Sequence, residues 1–596
     1  MCGIAGIIKL DNSKIDEASL IAMRDSMKQR GPDDAGIYIN DEKTVAFAHR
    51  RLSIIDLSPS GHQPMSAEDG SIWITYNGEI YNFPELKVEL QTVGHRFKST
   101  SDTEVVIKAY QQWDEQAFDK LNGMFSFALC DKKKKCIYLC RDHAGIKPLY
   151  YSISQDYLVF ASEVKAFKSF NKHWEQNQDW KILFLTFGHI PEPYTYLKNV
   201  YMLPKGCLLK LDVGNHTHSI KKYTCLKFSN AIKVLSDAKT LLRETFGKAI
   251  KRHLISDAPI GVFLSGGIDS SLVAGLSAKY TSQLETLSII FDEKDFSEDY
   301  FQQLMARKIN SRHRVYKVTE TDFLNCIDDA ISAMDQPTTD GINTYFISKY
   351  AKKSGLKVVL SGLGGDELFG GYTSFQRINA ITRLKHFDKF KGVFRLGEYF
   401  QNDKFKKSAF LSCNSPLSIY LFFRGRVSPK TVAGILECSE YEVYKTIHKT
   451  VFPEDIPAGN KNLMSYLETN LYMQNQLLRD SDFMSMWHSV ELRVPFLDKE
   501  LMKLVFSIDE KIKFVSAQPK CLLTESFRDV LPDEIIFRKK MGFSFPFEKW
   551  IRNNMGIFLD FIQKNNKTTE CLCRNFEKEK LHWSRIFGLV LLERWG

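Results

Sequence analysis

Two spacings of hydrophobic residues divide this chain of 596 residues. In the first part, apolar positions come in short runs broken by turn residues, at 45–48, 72–76, 125–129, 137–139 and 157–161. Such runs predict strands, and a strand-rich opening predicts an α+β unit. A polar stretch without period, 212–219, is the linker candidate. From about residue 236 the pattern lengthens. Residues 238–253 predict an amphipathic helix, 260–264 a short buried strand ending in Ser265-Gly266-Gly267, and 270–278 the helix after it. A strand at 284–291, a helix at 300–310 and a strand at 357–360 continue the alternation, which predicts a parallel, doubly wound sheet. Ligands of such sheets sit outside the carboxyl ends of the strands, where both Ser-Gly turns fall. Beyond about residue 370 the pattern reads as mostly helical.

Composition changes this picture little. Hydrophobic residues make up 44% and charged residues 26%, so the chain reads as an ordinary globular protein. The net charge of +10 is scattered, and the one dense basic run, Lys132-Lys133-Lys134-Lys135, lies between two apolar stretches as a hairpin turn would. A nucleic-acid partner is therefore not expected. No apolar run reaches the roughly 18–20 residues of a membrane span, and the N-terminus lacks a basic leader segment. A cytoplasmic protein with reduced thiols is the expectation, with eleven of the twelve cysteines read as packing residues.

The exception is Cys2. Removal of Met1 would leave its thiol beside a free α-amine, which titrates near ~8 and can take the thiol proton directly or through one water. Alone, Cys2 reads as one more small buried residue. Five motifs following in order change that: Arg30-Gly31-Pro32-Asp33-Asp34, Arg51-Leu52-Ser53-Ile54-Ile55-Asp56, Tyr76-Asn77-Gly78-Glu79-Ile80-Tyr81-Asn82, Ser101-Asp102-Thr103-Glu104 and the Arg141–Tyr151 segment that begins Arg141-Asp142-His143-Ala144-Gly145. Glutamine hydrolysis needs a guanidinium for the α-carboxylate, which Arg51 offers, and acceptors for the α-ammonium, which Glu79 and Asp102 offer. It also needs oxyanion donors, which the Asn77 side chain and the Gly78 N–H offer. This block, residues 2 to about 165, resembles the class II, N-terminal-nucleophile glutamine amidotransferase domain. The resemblance implies a four-layer αββα sandwich, Cys2 as nucleophile, and glutamine bound by Arg51, Asn77, Gly78, Glu79 and Asp102.

A second site opens at Leu264-Ser265-Gly266-Gly267-Ile268-Asp269-Ser270-Ser271, between strand and helix. Its glycines let backbone N–H groups approach phosphate oxygens, its serines add donors, and Asp269 can hold Mg²⁺. The loop lacks the Walker lysine and resembles the pyrophosphate loop of enzymes that cleave ATP to AMP and pyrophosphate. A second turn, Ser361-Gly362-Leu363-Gly364-Gly365-Asp366-Glu367, supplies Asp366 as a second metal carboxylate. Downstream come Asp482-Phe483-Met484-Ser485-Met486, Glu491-Leu492-Arg493-Val494-Pro495-Phe496-Leu497-Asp498, Pro519-Lys520 and Arg538-Lys539-Lys540-Met541-Gly542-Phe543. Lys520 is the candidate cation for the transition-state phosphate, although as a lone lysine it would read as a solvated charge.

From about residue 235 onward this half resembles the asparagine synthetase domain, so the whole chain resembles the glutamine-hydrolysing asparagine synthetases. The expected domains are 2–210, a glutamine amidotransferase, and 235–596, an ATP pyrophosphatase with a helical C-terminal part. The resemblance implies ammonia released at Cys2, an acceptor carboxylate adenylated by ATP with Mg²⁺, and ammonia crossing an internal channel to displace AMP. It names aspartate as the acceptor and, since relatives are often dimers, a homodimer as the assembly to test. Two departures bear on the acceptor. The best-known members have glutamate where Leu363 stands, and an arginine after a Thr-Thr pair where this chain reads Asp335-Gln336-Pro337-Thr338-Thr339-Asp340-Gly341-Ile342-Asn343. Competing readings are amidation of another carboxylic acid, such as a uronic-acid sugar, and a silent or glutaminase-only regulator. The joint presence of Cys2, Asp269, Asp366 and Lys520 argues against the regulator.

Overall fold

The structure, a computed structural model, describes residues 2–596 except 172, 386–390, 401–402, 414, 451–454, 517, 543 and 565. Phe543, the end of one downstream motif, lies outside the described residues.

The alternating N-terminal runs form two six-stranded antiparallel sheets. In the first, Gly3–Lys9 pairs with Val45–Arg51 on one side and Tyr157–Ala161 on the other. In the second, Ile72–Ile80 and Cys136–Arg141 flank Gly123–Asp131. Strands send alternate side chains to opposite faces. Ile4, Ile8, Phe47 and Phe160 of the first sheet thus meet Ala128, Leu139, Leu209 and Leu211 of the second in one buried layer. The opposite faces are covered by helices. Leu20 and Met23 of Glu17–Asp25 join Ala5, Ile7 and Ala48, and Leu86, Val105 and Ala109 of Phe83–Thr92 and Asp102–Trp113 join Tyr76, Phe125 and Phe127. The result is the αββα sandwich, with Cys2 leading into its central strand.

In the second half five strands form one parallel sheet in the order Arg312–Lys317, Glu285–Ile290, Ile260–Phe263, Val358–Leu360, Glu491–Arg493. From Ile260–Phe263 the chain first winds outward in one direction and later returns at Val358–Leu360 on the other side. The crevice between these two strands is the switch point at which doubly wound sheets bind ligands. Both Ser-Gly turns end there. Helices such as Leu235–His253 and Ile268–Ser277 cover the sheet, and the described residues beyond 370 are mainly helical.

Three expectations change. The stretch 212–219 is not a linker but the tip of a hairpin, with Cys207–Asp212 paired to Thr217–Lys222. Thr217–Lys222 is exposed along its whole length, so it carries no apolar alternation to reveal it. The edge strands Arg312–Lys317 and Glu491–Arg493 were not predicted, the first because it is polar and the second because three residues hold no period. All twelve cysteines are free, but Cys225 and Cys571 are exposed and do not pack. The four lysines 132–135 do form an exposed turn between paired strands. Among the described residues no helix is long and apolar enough to cross a membrane.

Candidate active sites

The first site is a cleft of about 320 Å³ at the end of the first sheet, lined by Cys2, Arg51, Gly78, Glu79, Ser101 and Asp102, among others. Strand Gly3–Lys9 brings in Cys2, and Ile72–Ile80 brings Asn77, Gly78 and Glu79 on one extended run. The Cys2 backbone N donates to Asn77 Oδ1 at 2.9 Å, and the Asn77 Nδ2 is buried without a partner. A buried donor left unmatched beside a nucleophile is what an oxyanion requires. Gly78 crosses so close to Met124 and Phe125 that a Cβ would collide with their backbone. Burial raises the Cys2 thiol, opposed in part by the Leu52 N–H and by Arg51.

The groups expected to recognise glutamine are fixed from behind. Asp102 heads helix Asp102–Trp113, and its Oδ2 accepts from the Tyr76 hydroxyl at 2.7 Å and the Ile80 N–H at 3.0 Å. Arg51 donates to the carbonyls of Asp56 and, at 3.1 Å, Ser58, so a loop orients its guanidinium. Glu79 Oε2 is buried without a hydrogen-bond partner. Burial, Glu491 and Asp102 push Glu79 well above the usual carboxylate range, with Arg493 opposing.

The second site is a cavity with about 2110 Å³ of open space at the switch point. Leu264, Ser265, Gly267, Asp269 and Ser270 line it from one turn, Ser361, Gly362, Leu363 and Asp366 from the other, and Lys520 from a third segment. Gly266 and Ser271, expected with them, do not line it. Gly266 takes φ +76° against Phe301 and Gln302, and Ser271 is buried inside its helix. The Ser265 and Ser270 hydroxyls lie 2.9 Å apart, and Ser265 N–H donates to Ser270 Oγ at 3.1 Å, which closes the turn.

Lys520 sits in the left-handed region at φ +59° and pairs with both Asp269 and Asp366. Lys540 Nζ meets Asp366 at 2.7 Å. Burial alone would raise Asp366, but Lys520 and Lys540 outweigh it and hold it at about 2. Burial raises Asp269 in spite of Lys520, and the paired carboxylates raise Lys520 against its own burial. Among the described residues no cluster of three or more His, Cys, Asp or Glu could hold a metal. Two carboxylates with phosphate oxygens nevertheless suit Mg²⁺, which keeps several waters. Asp269 Oδ1, buried and without a partner, fits that part.

The model of the glutamine amidotransferase domain matches residues 1–224, and that of asparagine synthase matches residues 241–577. The chain belongs to the glutamine-hydrolysing asparagine synthetase family. It is 31% identical over 97% of its length to asparagine synthetase [glutamine-hydrolyzing] 1 of Bacillus subtilis, covering 92% of that protein. It is 38% identical to putative asparagine synthetase [glutamine-hydrolyzing] 2 of Methanocaldococcus jannaschii, over 65% of this chain and 79% of that one. Asparagine synthetase [glutamine-hydrolyzing] 3 of Bacillus subtilis is 29% identical over 91% of this chain and 86% of its own. The chain is accordingly an ATP-dependent ligase with a glutamine amidotransferase domain.

Within this asparagine synthetase frame the structure adds residues that the motifs did not assign. Arg30 donates through Nε to the Cys2 carbonyl at 3.0 Å, and its Nη1 meets Glu163 at 3.0 Å and Asp482 at 2.7 Å. Lys147 also reaches Asp482, at 3.2 Å. Asp482 belongs to the helix Arg479–Trp487 of the second half, so Arg30 ties that helix to the Cys2 backbone. The same helix sends Asp480 and Ser481 to line the second cavity, with Asp340. Asp480 Oδ2 accepts from Thr338 Oγ1 at 2.6 Å, while Oδ1 is buried without a hydrogen bond. Burial, helped by Asp340, pushes Asp480 up to about 8. The segment 335–343 splits in function. Asp335 accepts from the backbone of Val164 and Lys165, whereas Asp340, Gly341 and Asn343 line the cavity.

Proposed function

We propose that this protein makes asparagine: ATP, aspartate, glutamine and water give AMP, pyrophosphate, asparagine and glutamate through β-aspartyl-AMP. With Met1 removed, the free amine of Cys2 takes the thiol proton and the thiolate attacks the glutamine carboxamide carbon. Asn77 Nδ2 and the Gly78 N–H hold the oxyanion. The amide nitrogen leaves as ammonia, and water hydrolyses the thioester to glutamate. Arg51 holds the glutamine carboxylate, and Glu79 and Asp102 hold its ammonium.

In the second cavity the aspartate β-carboxylate attacks the α-phosphorus and pyrophosphate leaves. Ammonia then attacks the acyl carbon and AMP leaves. The Ser265–Ser270 turn and Ser361-Gly362 offer donors to the phosphates, and Lys520 neutralises charge that builds up at the α-phosphate. Asp269 and Asp366 would hold Mg²⁺, whose chemistry is to neutralise the departing pyrophosphate. The free thiols support a reducing, cytoplasmic setting.

One observation carries the choice of acceptor. With Leu363 in place of the glutamate, the cavity still presents Asp480, whose buried Oδ1 accepts no hydrogen bond and has only the distant Arg479 Nε, at 4.0 Å, as a cation, beside Asp340. Such a carboxylate calls for a cation. The α-ammonium of aspartate supplies one, and a uronic acid does not. The test is AMP and pyrophosphate release across a panel of carboxylic acids with ammonia. Aspartate should lead, and a panel led by a sugar acid or by a dicarboxylate lacking the amine would overturn the reading.

A further inference from the structure

The glutamine cleft is lined by residues of the first half, yet its charge is not balanced there. Glu79 and Asp102 are both buried, and the groups that fix Asp102 are a phenol and a backbone N–H. The cation behind Glu79 comes from the far edge of the parallel sheet. Arg493, fully buried on strand Glu491–Arg493, places Nη2 3.7 Å from Glu79 Oε2. Its other donors are committed: Nε to Glu491 at 2.6 Å, and Nη1 to the carbonyls of His253 at 2.7 Å and Ile255 at 2.6 Å. The Tyr81 ring lies 5.6 Å from the guanidinium carbon. Only Nη2 lacks a hydrogen-bond acceptor, and it is the nitrogen that faces Glu79. The same residue anchors the other site, because its carbonyl accepts the Ser361 N–H at 2.8 Å where the second turn begins. Arg493 is therefore held rigidly by the sheet at one end and aimed at the glutamine cleft at the other.

We propose that Arg493 is a positioning residue for glutamine: its guanidinium, contributed by the synthetase half, aims Glu79 at the substrate α-ammonium and eases the ionisation of Glu79 as that cation arrives. This rests on the reading of Glu79 as an ammonium ligand. Without Arg493, Glu79 would share a buried pocket with Asp102 and Glu491, and a carboxylate in that setting takes up a proton. A protonated Glu79 accepts poorly from an ammonium group.

The test compares hydrolysis of glutamine with that of glutaramate, which has the same carboxamide and carboxylate but no α-amine. Arg493→Lys keeps a charge but loses the fork that reaches Glu491, two carbonyls and Glu79 together. Arg493→Gln removes the charge while its amide can still donate to Glu491, and covers the case in which the lysine variant does not fold. In either variant kcat/KM for glutamine should fall by about tenfold or more, mostly through KM. Glutaramate should lose less than about threefold, so the preference for glutamine narrows. Ammonia-dependent synthesis should fall much less than glutamine-dependent synthesis. Equal losses for glutamine and glutaramate would make Arg493 merely structural and overturn the proposal, as would an unchanged KM for glutamine. A wild-type enzyme with no preference for glutamine over glutaramate would instead remove the reading of Glu79 beneath it.

Discussion

In the glutamine cleft the buried carboxylates Glu79 and Glu491 share one guanidinium, Arg493, while Asp102 is held by neutral donors and Arg51 lines the cleft with its guanidinium tied to loop carbonyls. In the cavity proposed for ATP two carboxylates, Asp269 and Asp366, are met by two ammonium groups, Lys520 and Lys540. The acidic side of the first site is short of cations, and an incoming ammonium would supply one. At its two Ser-Gly turns the second matches the two carboxylates with the two lysines. On the proposed reading an incoming triphosphate would take over Lys520, and Asp269 and Asp366 would then be the residues to hold Mg²⁺. The sizes differ in the same sense, about 320 Å³ against about 2110 Å³. A small cleft built to complement one amino acid sits beside a wide cavity that must exchange ion pairs when its substrates arrive.

The sharpest break of this comparison is Cys2→Ala. Glutamine-dependent synthesis should fall by about 10⁴-fold or more, as for loss of other catalytic nucleophiles, while ammonia-dependent synthesis persists. Equal loss of both in a folded variant would deny that the two sites are chemically separate.

Next is Lys520→Ala, which should lower pyrophosphate formation in a single turnover by about 10²–10³, the usual effect of losing one transition-state contact. ATP binding should weaken much less, and arginine should not rescue fully because its planar fork is a poor substitute for a compact ammonium. A change under about threefold in pyrophosphate release would return Lys520 to a spectator role.

Asp269→Asn and Asp366→Asn should each raise the Mg²⁺ concentration needed for half-maximal AMP formation by about 10–100-fold, while sparing glutamine hydrolysis. An unaltered Mg²⁺ titration would leave these carboxylates as partners of lysine only.

The smallest effect concerns pH. Because Asp480 lies near pH 8 before substrate binds, it is mostly protonated at pH 7 and must lose that proton to receive an ammonium. The KM for aspartate should therefore fall by about tenfold between pH 7 and pH 9, and Asp480→Asn should flatten that slope. A KM that rises with pH would have the wrong sign.

The two Ser-Gly turns and the Tyr76–Asn82 run were legible as cavity-lining segments because their signal is local. Glycine, serine and aspartate stand at spacings that backbone turns alone make useful, and the structure places Ser265, Asp269, Ser361 and Asp366 on one cavity. Arg493 and Asp480 were not assigned, for a physical reason. Arg493 matters because a three-residue edge strand pairs Leu360 with it, aiming its side chain at a residue of the other half. Asp480 lies in a helix whose neighbours Arg479, Asp482 and Met484 are buried too, so its cavity-facing side has no signature in the sequence. Gly266 and Ser271 show the converse, with motif membership but no place on the cavity wall.

The most direct measurement follows the nitrogen. With glutamine labelled with ¹⁵N at the side-chain amide, aspartate and Mg-ATP, the label should appear in the side-chain amide of asparagine, with one AMP and one pyrophosphate formed per asparagine. Labelled ammonia without labelled asparagine, or ADP in place of AMP, would contradict it.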